Sequence, residues 1–109
     1  MNMGDIYIVD FPFSAGHEQT GNRPAVIVID FHELPIAQII PLTSQEQAKK
    51  YNHTVVIEGD EENCLDKTSI ALLFQLRAID KKRLKTQIGK LKAKDVERIK
   101  MALKAMYCF

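Results

Sequence analysis

At 109 residues, with 46% hydrophobic and 27% charged side chains, the chain has the length and balance of a single folded domain, spanning 1–109, not of a disordered segment. Its longest apolar run, "AVIVI", is far too short to cross a membrane, and "MNMGDIYIVD" lacks the basic-then-apolar pattern of a secretory signal. The net charge of +1 hides an asymmetry: residues 1–76 are acidic and residues 77–109 basic, which means either a basic face for a polyanion or two self-complementary halves.

In chain order, "DIYIVDF" (Asp5–Phe11) is rich in β-branched and aromatic residues and stops at Pro12, so it reads as a strand. A long loop follows, with Gly16 and Gly21 inside it. "RPAVIVIDF" is a near-continuous apolar strand, expected to be buried on both faces or close to it. "IAQIIPLT" (Ile36–Thr43) is a third strand, with Pro41 marking an edge or bulge near its end. "SQEQAKKYN" is a polar excursion, "HTVVIE" a fourth strand and "GDEEN" an acidic turn. "TSIALLFQLRAI" (Thr68–Ile79) reads as an unbroken fifth strand, and "DKKRLKTQIGKL" as a short turn or helical piece followed by a brief strand.

Only the C-terminus is patterned as a helix. Val96, Ile99, Leu103 and Met106 fall on one stripe with lysines opposite, and Asp95 and Glu97 suit the first turn. Lys92 and Lys94 are poor N-caps. Five or six short strands closed by one helix imply a mainly β fold, a small, bent β-barrel with helical cover. Cys64 and Cys108 have no metal-type spacing and read as reduced thiols of a cytosolic protein.

The candidate chemistry gathers around Arg23. Pro24 restricts Arg23 to extended backbone, so its guanidinium leaves a rigid strand start. That planar fork suits phosphate oxygens, or equally a carboxylate such as Glu18. Thr43 and Ser44 could donate to a phosphate, or simply end a strand. His17 and Glu18 could move protons, or be solvated loop residues. Gln75 sits inside an apolar run, where a buried amide must find partners. The lysine-rich tail could bind phosphates or be a solvated face. His32 and His53 flank strand ends and read as exposed. No phosphate-binding glycine loop, His/Cys/Asp metal set or Ser-His-Asp order is present, so any hydrolysis is expected to need no metal or other cofactor.

The ordered series "GDIYIVDFPFSAGHEQTGNRPAVIVID", "PLTSQ" and "SIALLFQLRAIDKKRLKTQIGKL" resembles the MazF/PemK (Kid) family of toxins from bacterial type II toxin–antitoxin pairs over nearly the whole chain. Its specific parts are "G-x-E-Q-x-G-x-R-P" before an apolar strand and "Q-x-R-x-I-D-K-x-R-L" further on. The resemblance implies an SH3-like bent β-barrel with a C-terminal helix, a homodimer, a cytoplasmic location, and metal-independent cleavage of single-stranded RNA. It also implies an antitoxin partner, whose acidic tail would complement the basic residues 77–104.

By that resemblance Arg23 and Thr43 are the catalytic positions. His17, Glu18, Gln19, Ser44 and Gln75 fall among the RNA-binding ones. The implied reaction is attack of a ribose 2′-OH on its neighbouring phosphorus, leaving a 2′,3′-cyclic phosphate and a 5′-OH. Arg23 would clamp the charge that develops, and Thr43 would hold the phosphate in line. Two features depart from the pattern. Leu72 and Phe74 stand where some members carry an arginine and an acidic residue as the acid–base pair, and "DFHELPIAQ" is shorter than usual. Two other readings remain on the same fold: a catalytically inactive RNA- or peptide-binding module, and a gyrase poison like the CcdB toxins.

Overall fold

The computed structural model describes residues 1–12 and 21–108. Each β-branched run becomes a strand: β1 (Asp5–Phe11), β2 (Gly21–Asp30), β3 (Ile36–Thr43), β4 (Thr54–Ile57), β5 (Ser69–Leu72), β6 (Arg77–Asp80) and β7 (Leu84–Lys90). The C-terminal stripe becomes α1 (Ala93–Met106). Every strand pairing among the described residues is antiparallel, in the spatial order β4-β5-β3-β2-β1-β7, with β6 also paired to β3.

The mainly β architecture with a closing helix is therefore as expected, but the path runs open from β4 to β7 and the sheet is bent without sealing. The bend lies in β3. Its first half, from Ile36 to Ile39, pairs with β6, and its last two residues, Leu42 and Thr43, pair with β5.

That change of partner corrects the expected fifth strand. Thr68–Ile79 is not continuous: a 3₁₀ turn at Leu73–Gln75 separates β5 from β6, so the described residues hold seven strands, not five or six. Leu73 is fully buried, and its amide donates to the carbonyl of His53 at 3.0 Å. The break thus satisfies a backbone donor and drives an apolar anchor inward. The polar excursion also acquires structure, as a 3₁₀ turn at Glu46–Lys50 seated on buried Ala48.

Alternation along the strands divides the core. Ile6, Val26, Ile40 and Leu42 point toward α1 and join Ile57 and Ile99. Val9, Phe11, Ala25, Ile27 and Ile39 point the other way and join Ile79. β2 is buried on both faces only from Ala25 to Ile27; Ile29 is 43% exposed, so its apolar run overstates its burial.

Helix α1 buries Ile99 completely and sets Val96, Leu103 and Met106 against the same core. Gly4, at φ +98°, lies under its first turn, and a Cβ there would stand 2.8 Å from Val96 Cγ2. Positive φ and close approach both demand glycine. The acidic turn is built on Asn63, which has no exposed surface. Its Nδ2 donates to the Glu58 carbonyl at 2.9 Å, and its Oδ1 accepts from the amides of Asp60 at 2.9 Å and Leu65 at 3.0 Å. Cys64 and Cys108 are free and exposed.

Candidate nucleic-acid cleavage site

β2 and β3 are in register from Ala25 opposite Pro41. The ladder ends at that pair: Arg23 lies two residues before Ala25 and Thr43 two residues after Pro41, so both stand just past it at the same end of neighbouring strands. Arg23 pairs with Val9 of β1, so it springs from a backbone held in register on that side, and it is exposed.

Thr43 ends β3 with 6% of its surface exposed. Its Oγ1 accepts the amide of Gln45 at 3.3 Å, which fixes the oxygen while the hydroxyl proton stays able to donate.

Thr43 opens onto a groove of about 630 Å³. One wall is the 3₁₀ turn after β3, with Gln45, Gln47, Ala48, Tyr51 and Asn52; the other is the break between β5 and β6, with Leu72, Phe74 and Gln75. Gln75 is half-buried at this rim, not enclosed within a strand as its apolar neighbours suggested. Ser44 is exposed beside Thr43 and does not line the groove. His17, Glu18 and Gln19 lie outside the described residues. Leu72 is buried, whereas Phe74 is 46% exposed.

The sequence reading missed the aromatic pair in this groove. Tyr51 and Phe74 meet edge to face, centroids 6.0 Å apart. The available signal was weak: two aromatics ending polar or apolar runs with no shared periodicity. Arg77 was also overlooked. Its guanidinium sits 4.5 Å from the centre of the Phe11 ring, and it pairs with Ile39, which places a second cation on the face that carries Arg23.

No carboxylate lines the groove among the described residues. The charge asymmetry is instead partly spent in pairs across the two halves: Lys81 with Asp30, Arg83 with Asp10 at 3.7 Å, and Lys92 with Asp60 at 3.9 Å. The hydrogen bond from Lys81 is the largest influence on Asp30 and holds its carboxyl below the usual value of 3.8, against the opposing effect of burial. No group of three or more His, Cys, Asp or Glu among the described residues is placed to hold a metal ion.

A mainly antiparallel bent sheet with one C-terminal helix, and a polar, aromatic-lined groove where β3 ends, define the class: a small bent-sheet β protein closed by one helix. Residues 2–107 match the family described as PemK-like, MazF-like toxin of type II toxin–antitoxin systems, and the chain belongs to that family.

Among relatives, it is 33% identical over 106 residues to the Endoribonuclease MazF of Staphylococcus saprophyticus, covering 94% of this chain and 88% of that protein. The fold is shared with the crystal structure of MazF from Deinococcus radiodurans, at a TM-score of 0.81 and 24% identity over 100% of this chain and 97% of that one. It is also shared with a mycobacterial endoribonuclease in complex with its cognate antitoxin, at a TM-score of 0.74 and 16% identity over 98% of this chain and 94% of that one.

Proposed function

We propose that this toxin is an endoribonuclease that cuts single-stranded RNA by attack of a ribose 2′-OH on the adjacent phosphorus, releasing a 2′,3′-cyclic phosphate and a 5′-OH. The placement of Arg23 and Thr43 at the same end of the neighbouring strands β2 and β3, just past their last pair, is the observation that supports this reading. Arg23 supplies a fixed cationic fork for the phosphorane oxygens, where such preorganised donors act most strongly. Thr43 donates to the same phosphate and keeps attacking and leaving oxygens in line.

Tyr51 apart, the described groove residues carry no titratable side chain. His17 or Glu18 is the candidate for one of the two proton transfers, and His17, Glu18, Gln19, Ser44 and Gln75 are assigned to RNA binding. The toxin acts as a homodimer in the cytoplasm and is held inactive by an antitoxin whose tail occupies the groove. Among the described residues no helix is long and apolar enough to cross a membrane.

The test is cleavage of a long single-stranded RNA by purified protein with EDTA present, followed by end analysis. The expected products carry cyclic phosphate and 5′-OH ends, and a substrate with a single 2′-deoxy residue at the mapped site is not cut. Products with 5′-phosphate ends, or cutting of the deoxy substrate, would overturn the mechanism.

A further inference from the structure

The groove beside Thr43 presents two large aromatic rings that the cleavage chemistry does not use. Tyr51 is 50% exposed and Phe74 46%. Their rings stand at 82°, and this edge-to-face contact leaves each with open surface toward solvent.

Both rings are held on fixed backbone. The Tyr51 amide donates to the Ala48 carbonyl at 3.1 Å, and the Tyr51 carbonyl accepts from Thr54 Oγ1 at 3.0 Å. His53 takes a left-handed φ of 63°, and its carbonyl accepts the Leu73 amide at 3.0 Å, which ties the turn carrying Tyr51 to the turn carrying Phe74. Lys50 Nζ lies 5.9 Å from the Tyr51 ring centre.

Around the rings the lining is neutral and amide-rich: Gln45, Gln47, Asn52 and Gln75. Side-chain amides offer a donor and an acceptor side by side, the pattern that base edges match.

We infer that Tyr51 and Phe74 form a stacking subsite for one unpaired nucleobase of the substrate, next to the linkage held at Thr43, with the amides of Gln45, Gln47 and Asn52 reading its edge. The inference rests on the ribonuclease reading above. Aromatic faces hold bases of any identity, and the amides confer the preference. An RNA strand already bound at Thr43 brings a base into the same groove.

The experiment uses a short oligoribonucleotide containing one mapped cut site, and a series in which each base near the cut is replaced in turn by an abasic ribonucleotide. With wild-type protein, one position loses about 5- to 150-fold in kcat/KM, the span of base–aromatic stacking. Tyr51→Leu and Phe74→Leu are slowed on the intact oligonucleotide by a similar factor and show no further loss at that abasic position. Phe74→Tyr keeps the wild-type profile and serves where Phe74→Leu does not fold.

Equal abasic penalties in wild type and both leucine variants would overturn the subsite while leaving the nuclease reading intact. Wild-type protein that cuts no RNA at all would overturn both.

Discussion

Arg23 and Thr43 stand at the same end of the neighbouring strands β2 and β3, each two residues past the last pair of their ladder, Ala25–Pro41, where β3 is paired on its other side to β5. Neither residue lies on a loop tip: Arg23 belongs to a strand paired on β1, and Thr43 to one paired on β5. A guanidinium and a hydroxyl placed on paired strands need no flexible segment to be ordered, which is a structural condition for electrostatic preorganisation.

Arg23→Ala is expected to lower RNA cleavage by about 100-fold or more, the loss seen when one preorganised donor is removed. Arg23→Lys should recover little, because an ammonium cannot reproduce the two-pronged contact. Arg23 is exposed, so the unfolding free energy from a urea titration should move by no more than about 0.5 kcal/mol in either variant. Single-turnover cleavage beside a urea titration separates the two effects.

Thr43→Ser should keep most activity and Thr43→Val should lose it. The valine also removes the acceptor of the Gln45 amide, at a cost of about 1 kcal/mol, so its urea midpoint falls as well. Equal activity of serine and valine variants would remove the hydroxyl from the reaction.

Asn63→Ala should destabilise by about 1–3 kcal/mol, since it removes the fully buried side chain that bonds the Glu58 carbonyl and the amides of Asp60 and Leu65 in a half-exposed turn. Gly89→Ala should act on the same turn from below: a Cβ there would lie 2.6 Å from the carbonyl oxygens of Glu62 and Asn63. Thermal melts of the two single variants and the double variant should show less than additive losses, because both disrupt one contact.

The Asp30 carboxyl is held below 3.8 chiefly by its hydrogen bond from Lys81, aided by His32 and the amino terminus. A carboxylate with a depressed value in the folded state stabilises at pH above its unfolded value and loses that contribution as pH falls through the folded one. Asp30→Asn should therefore be less stable than wild type at pH 6, with the gap closing below 3.8. Urea midpoints at a series of pH values measure it; a gap that does not vary with pH would contradict the assignment.

Lys92 caps α1 with no side-chain hydrogen bond. Lys92→Ser should place an acceptor over the first turn and raise stability by about 1 kcal/mol, while RNA cleavage stays unchanged. The Lys92–Asp60 pair lost in the exchange is long, at 3.9 Å, and largely solvated.

Much of this fold is local and was legible. β1 and β3 occupy the residues their β-branched runs mark, and the α1 stripe of Val96, Ile99, Leu103 and Met106 faces the core as its spacing requires. The break at Leu73–Gln75 was not legible, because "ALLFQL" continues an apolar run and nothing within it marks a change of partner. The polar run "SQEQAKKYN" likewise gave no sign that Tyr51 would meet Phe74, since that contact depends on two turns tied through His53 and Leu73.

The amino-acid sequence by itself determined the strand periods, the closing helix and the arginine held stiff before a proline, because side-chain alternation and proline geometry act over a few neighbouring residues. The tertiary structure alone decided that β3 would trade one partner for another, that Arg23 and Thr43 would stand at the same end of neighbouring strands, and that two distant turns would present an aromatic pair at one groove. Those outcomes depend on register between strands far apart in the chain, where the energy of each pairing is set by the burial of the whole face and not by any local run.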